Sequence, residues 1–320
     1  MKAVYKFLLF TIVLFTNCRS QEVKIREVRK DITINKSTAI FDLFLDSGKV
    51  ENFISSQILK QSDGNRLRNF YKTRSYRFAW FTTDGLTEHT RAFLNLHNNY
   101  IQLTHDTAHV DRKLHERMKS LADDDTLINP SGDETAITEL QFTQHFFKYA
   151  QHAYAGKVNP EEVQWHIPGK KINAMALLDS LLANKGQNAE RWEPLNAQYQ
   201  LMNAALKRYA VHKKQGGWKT IISEGKKMYR QGDSATVIKQ TKQRLAMEGG
   251  YQVSDTTSNF SNEFSIAVKK AQKRFGFKQD GMINAALIKV LNVPVEDRIE
   301  QILINMERMR WMPREPQVNR

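Results

Sequence analysis

Two histidines four residues apart are the first chemical signal in this chain. They lie in His105-Asp106-Thr107-Ala108-His109, with His115 close behind. On a helix that spacing turns both imidazoles to one face, as in the zinc motif His-Glu-x-x-His. Asp106 stands where the catalytic glutamate of that motif belongs, so the stretch is expected to be a polar surface helix and no metal ligand is assigned. Glu161-Glu162, and Glu134 with Glu139, offer carboxylates for glycan cleavage, which needs a defined separation in space. Nothing else in the chain is lysozyme-like, and no catalytic pair is assigned. Asp123-Asp124-Asp125 lacks the glycine and closing glutamate of a calcium loop and is expected to be a solvated loop. Trp80, Trp165, Trp192, Trp218 and Trp311 have faces that could stack on sugars, but scattered tryptophans more readily serve as core. The basic run Lys269-Lys270, Lys273-Arg274 and Lys278 is the stronger binding candidate. Lys270 and Arg274 fall four apart, opposite the apolar stripe Phe264, Val268 and Phe275, where they could meet carboxylates. A merely solvated face is the competing reading. No cofactor is implied.

The elements that must position these residues are mostly helical. Residues 19–65 are polar, with apolar groups at 40–45 and 53–59, and read as helix. Leu86, Phe93, Leu94, Leu96 and Ile101 recur mainly at spacings of three, four and seven. Helices are likewise expected from Leu140 to about Gly156, over 174–182 and over 199–209, with loops at 123–133, 157–171, 184–194 and 213–218. A smaller unit begins at Tyr229. Asp233 is the expected N-cap of its first helix, carrying Val237, Ile238 and Leu245, and Gly249-Gly250 the stop. Phe264, Val268, Ala271 and Phe275 mark a second helix closed by Gly276, and Asn284 caps a third with Leu287, Ile288 and Leu291. A final helix from Val295 to about Met312 puts Ile299, Ile302, Met306 and Met309 on one stripe, ended by Pro313.

The chain has 320 residues, room for about two domains. Its 41% apolar and 26% charged content is that of globular protein, and 15 glycines and 7 prolines disfavour a turn-rich β sandwich. Lys and Arg number 48 against 34 Asp and Glu, a formal charge of +14 that implies a polyanionic neighbourhood. The single cysteine, Cys18, excludes an internal disulfide and a cysteine-rich zinc site. Lys2 and Lys6 precede residues 7–15, eight of nine apolar, too few to span a bilayer but fitting a secretory signal. Leu14-Phe15-Thr16-Asn17-Cys18 resembles a lipobox whose cysteine is acylated, although Asn17 replaces the usual small residue. A plain signal or an uncleaved anchor is the alternative. Export to the periplasm or cell envelope aims the positive charge at anionic lipid or wall polymer and away from nucleic acid.

Residues 229–291 resemble a three-helix peptidoglycan-binding domain. The resemblance rests on Tyr229-Arg230-Gln231-Gly232-Asp233-Ser234, Gln243-Arg244-Leu245, Gly250-Tyr251, Ala267-Val268-Lys269-Lys270, Gln272-Lys273-Arg274, Gly276-Phe277, Asp280-Gly281 and Ile283-Asn284. The usual Asp-Gly before the second helix is replaced by residues 256–260, and Ala271 stands where Phe is common. Leu291-Asn292-Val293-Pro294-Val295, Arg298-Ile299, Gln301-Ile302, Asn305-Met306-Glu307-Arg308 and Arg310-Trp311-Met312-Pro313 resemble the linker of the scaffold-bearing murein L,D-transpeptidases, YcbB-like with a YkuD-type catalytic domain. Phe70-Tyr71, Arg74, Tyr76, Trp80, Gly85-Leu86-Thr87, Tyr154-Ala155-Gly156-Lys157-Val158-Asn159-Pro160 and Trp165 resemble that family's helical scaffold.

The resemblance implies a mostly α protein. Its expected parts are a lipoprotein-type signal (1–18), an N-terminal segment (19–65), a helical scaffold (66–222), a peptidoglycan-binding bundle (223–292) and a linker helix (293–320). Lys270, Arg274, Asp280 and Gly281 are the expected peptidoglycan contacts, and Cys18 the lipidation site and membrane anchor. In the family, a cysteine thiolate in a following β-rich domain attacks a diaminopimelate carbonyl and passes the acyl group to an amine on another stem. Cys18 lacks the Ser-x-Gly-Cys context, so no catalytic residue is assigned. Two expectations follow: a fragment whose catalytic domain lies beyond Arg320, or a non-catalytic envelope scaffold that ends there.

Overall fold

A computed structural model describes residues 43–314, apart from 125–128, 130–131, 168, 250, 252–254 and 256. The signal segment, Cys18 and Asp125 lie outside the described residues. The fold is mostly α, with two short β pairs. Among the described residues, no helix is long and apolar enough to cross a membrane.

Helix α5 (Asp133–Ala155) is the axis of the larger unit. It buries residues around its whole girth, including Leu140, Phe142, Phe146, Tyr149 and Tyr154, as a helix must when other helices cover it. Against it lie α1 (Ser47–Ser56), α2 (Gln61–Thr73) and α6 (Ala174–Ala183). Val50, Phe53 and Ile54 of α1 share one core with α2 and α5. Helices α3 (Glu88–Thr104), α4 (Arg112–Asp123), α7 (Ala189–Trp192) and α8 (Ala197–Lys214) complete this scaffold, with the hairpin β1 (Phe81–Thr82) and β2 (Gly85–Leu86) leading into α3. Thr87 Oγ1 caps α3 by accepting the Thr90 N–H at 3.2 Å.

The expected surface helix through His105 and His109 does not form. His105 ends α3 in the left-handed region (φ 54°), and a loop runs on to Asp111, which caps α4. Local side-chain bonds compete with the helix here. Thr104 Oγ1 donates to Tyr100 O, and the Asp106 carboxylate accepts the Ala108 N–H at 3.1 Å and the Tyr100 hydroxyl at 2.8 Å. His109 is consequently buried, not exposed.

The smaller unit contains α9 (Thr236–Met247), α10 (Asn262–Arg274) and α11 (Ala285–Leu291), tied by β3 (Met228–Tyr229) paired antiparallel with β4 (Ile283–Asn284). Val237, Ile238, Leu245, Phe264, Val268, Leu287 and Leu291 form its separate core. Asn284 Oδ1 accepts the Leu287 N–H at 2.9 Å, as its position in the sequence suggests. Asp233 does not cap α9, which begins three residues later behind Ala235. Its carboxylate instead accepts Arg230 N–H at 2.8 Å and Lys226 Nζ at 2.7 Å, which closes the entry turn.

Helix α12 (Val295–Trp311) then returns to the scaffold. It lies along α8 and touches α5, with Met306 buried in the scaffold core and Ile299, Ile302, Leu303 and Met309 packed on its edge. The bundle is therefore an insertion between two helices of one scaffold.

Candidate functional site

Helix α10 carries the basic residues singled out from the sequence. Ser261 caps it, accepting the Phe264 N–H at 3.2 Å, and Phe264, Ala267, Val268 and Ala271 hold one face in the core. Lys269, Lys270 and Lys273 consequently face solvent. None of the three has an ion-pair partner among the described residues. Arg274 differs. Its Nη1 lies 2.5 Å from Glu248 Oε2, while its side chain keeps 43% exposure. Phe275 is half-buried, with the Arg298 guanidinium 5.2 Å from its ring centre.

Asp280 and Gly281 form a turn clasped to α10 by the buried side chain of Gln272. Gln272 Nε2 donates to Asp280 Oδ1 (2.6 Å) and Met282 O (3.0 Å), and Gln272 Oε1 accepts the Gly281 N–H (2.9 Å). Asp280 Oδ1 also accepts the Met282 N–H at 2.9 Å, and these bonds hold its carboxyl below the usual range. Gly281 has φ +75°, and a Cβ there would lie 2.4 Å from Ser265 Oγ. The Asp-Gly pair thus sets the shape of the turn beside the lysines.

Two networks of buried charge escaped the sequence reading. Arg244 and Glu248, one turn apart on and after α9, pair at 2.7 Å with side chains only 1% exposed. Arg244 Nε donates to Leu291 O at 3.0 Å, and its guanidinium sits 3.6 Å from the Trp218 ring centre. Trp218 in turn donates to Val293 O at 3.0 Å. Glu248 therefore neutralises Arg244 from inside and Arg274 from the surface. Likewise Lys242, wholly buried, donates to Asp255 Oδ2 (2.5 Å) and Asn259 O (2.6 Å). That pins the segment where the usual Asp-Gly is missing. Both networks look like ordinary surface charge in a one-dimensional pattern.

A second concave surface lies where α12 meets the scaffold. A cleft of about 400 Å³ is lined by Tyr100, Asp106, Lys157, Trp165, Arg308 and Trp311, among others. Glu307 builds one wall, its Oε1 accepting the N–H groups of Lys157 (2.7 Å) and Val158 (3.0 Å). Its Oε2 pairs with Arg310 at 2.7 Å, and Arg310 Nη2 donates to Tyr199 at 3.0 Å. Trp165, 40% exposed, meets Trp311 edge-on at 5.4 Å and lies under Arg308 at 5.0 Å. The Trp311 indole N–H is buried and has no acceptor among the described residues. The cleft thus combines an aromatic wall and apolar side chains with both cations and carboxylates, Asp106 and Glu307 among them.

Of the other candidates, Glu139 is wholly buried while Glu134 pairs with Arg117 at 3.2 Å on the surface, so the two do not share a site. Glu139 accepts Ala79 N–H (2.6 Å), Trp80 N–H (3.0 Å) and the Tyr71 hydroxyl (2.9 Å). Burial pushes its carboxyl up to about 7 against these bonds. Glu161 and Glu162 are exposed in a single 3₁₀ turn, Pro160–Val163. Trp80 is core, its Nε1 donating to Thr143 at 2.8 Å. Trp192 Nε1 is committed to backbone, donating to Gln187 O at 3.0 Å.

Residues 65–206 match a family model described as "Scaffold domain". Residues 234–291 match one described as "Putative peptidoglycan binding domain". No curated protein matches the chain. The two matched segments fall on the two cores, and they support an association with the cell wall, peptidoglycan as a partner and a cell-envelope location.

Proposed function

We propose that this chain is the wall-binding and scaffolding portion of a murein L,D-transpeptidase of the YcbB-like class, and that it positions peptidoglycan stems for cross-linking or substitution. The observation that carries the reading is the unpaired basic face of α10 on a bundle matched to a peptidoglycan-binding family. Lys270, with Lys269 and Lys273, meets stem-peptide carboxylates, and the exposed part of the Arg274 guanidinium adds donors. Asp280 and Gly281 shape the adjoining turn.

Sedimentation with purified sacculi tests the binding claim. Lys269→Glu, Lys270→Glu and Lys273→Glu combined should keep the helical circular dichroism and lose sedimentation. Wild-type binding should weaken with added salt, because exposed charge contacts are screened within about 10 Å at 0.1 M. Arg274 is left intact in this test, since a glutamate there would face buried Glu248. Undiminished sedimentation of the triple variant would place the contact elsewhere. We further propose that Cys18 is acylated and retains the protein in the envelope. Cys18→Ala should move it to the soluble periplasmic fraction, and a wild-type protein found soluble without lipid would refute that.

A further inference from the structure

Five histidines converge inside the scaffold, although they are scattered along the sequence. His97 comes from α3, His145 from α5 and His109 from the loop between α3 and α4. All three are buried, with exposures of 0%, 3% and 6%. Their ring centres lie 4.6 Å apart for His97 and His145, and 5.4 Å for His97 and His109. One ligand nitrogen from each can be chosen so that all three lie within 4.8 Å of one another. His115 and His152 flank the group, at 5.6 Å from His97 and 5.3 Å from His109.

This arrangement is costly for a protein core. Phe93 and Tyr149 wall the group, at 6.0 Å from His145 and from His109 respectively, where aliphatic side chains would pack with no polar atom to satisfy. Both ring nitrogens of His109 are buried without a hydrogen-bond partner, a state that native interiors rarely leave uncompensated.

We propose that His97, His109 and His145 bind one divalent cation of the zinc class. His97 Nε2 and His145 Nε2 share a hydrogen bond at 3.0 Å; the ion replaces its proton and holds the two nitrogens at the roughly 3.3 Å they span at tetrahedral zinc with bonds of about 2.0–2.1 Å. His109 sits on a loop, so a turn of its ring and backbone brings in the third nitrogen without moving a helix. All-nitrogen ligation selects borderline transition ions over calcium or magnesium, which require oxygen. The fourth position is left to water. Asp106 and His152 form a second set with His109 within the same 4.8 Å reach. Asp106 is already held by Tyr100 and Ala108, which suits it to orient His109 from its far nitrogen. The ion pins the loop of residues 105–111 onto α3 and α5. Asp106 of that loop also lines the cleft under α12, so metal loading steadies one wall of the cleft.

The test uses the untagged chain, stripped with chelator and titrated with zinc chloride under calorimetry. One equivalent should bind per chain, and the thermal midpoint should rise with free zinc. His109→Ala should weaken binding by at least about tenfold, since even losing a partner beyond the ligands costs roughly 10–100-fold. That variant sits on a loop, and circular dichroism verifies its fold. Should it unfold, His109→Gln keeps the volume and is tested in its place. Cobalt(II) added to the stripped wild type should give the visible ligand-field spectrum of a nitrogen-ligated tetrahedral ion. Failure of zinc to bind, equal binding by the folded His109 variant, or binding lost with Asp106→Asn but kept in His97→Gln would each overturn the proposal.

Discussion

Gly156 and Glu307 claim the same space. Gly156 ends α5 with φ +90°, and a Cβ added to it would lie 2.5 Å from Glu307 Oε1 and 2.9 Å from the Trp311 indole nitrogen. The missing side chain lets α12 approach closely enough for Glu307 to accept the next two backbone N–H groups. Gly156→Ala should therefore strain the backbone and push α12 outward. A loss of about 1–3 kcal/mol, the usual range for overpacking, is expected in urea denaturation, with faster hydrogen exchange over α12 than in wild type. An unchanged midpoint would mean that α12 tolerates displacement.

Removing Glu248 should be far more damaging than its surface-like sequence context suggests. Glu248→Ala strands Arg244 in a 1%-exposed site, and breaking a buried pair on one side costs about 3–5 kcal/mol. The loss should be confined to the bundle, visible as rapid hydrogen exchange across α9–α11 with the scaffold still protected. Uniform exchange rates would show that the two cores unfold as one.

Glu139 predicts a pH dependence whose sign can be worked out. Burial pushes its carboxyl up to about 7 in the folded protein, well above the ordinary glutamate range that the unfolded chain keeps. Between these values the fold holds a proton that the unfolded chain releases. Its contribution is complete below the unfolded value and is lost as pH rises through about 7. The difference in thermal stability between wild type and Glu139→Gln should thus shift in favour of wild type as pH falls from 8 to 5. A flat difference would mean that Glu139 stays ionised in its cluster of donors.

Residues 1–320 on their own are expected to show no L,D-transpeptidase activity, because a thiolate must carry the acyl group and the one cysteine among them is Cys18. Incubation with tetrapeptide muropeptides and mass spectrometry should return unlinked substrate. Cross-linked product from this chain alone would expose a different nucleophile.

Much of the architecture was legible because it is local. Apolar spacing located α3, α5, α6 and α8 to within several residues, and the stripe Phe264, Val268 and Ala271 identified the buried face of α10. The motif residues Tyr71 and Trp80 both donate to buried Glu139. What stayed hidden was long-range or disguised. His97 and His145 are 48 residues apart, so no spacing rule joins them, and attention fell instead on His105 and His109 as a helical pair. Arg244, Lys242 and Glu248 have the residue types of a wet surface, and only the three-dimensional packing shows them dry. Asp233 looked like a cap because a turn precedes it, yet Lys226 and Arg230 claim its oxygens first.

The position of α12 has a consequence for the order of synthesis. A ribosome completes α1 to α8 and then the entire bundle before it makes the helix that fills the last groove of the scaffold. Domains commonly fold in the order they emerge, at about 5–20 residues per second. Here the first domain must wait several seconds with the Met306 seat open, while the second can finish. The nascent scaffold therefore presents a transient apolar slot, shaped for its own late helix, to whatever carries it.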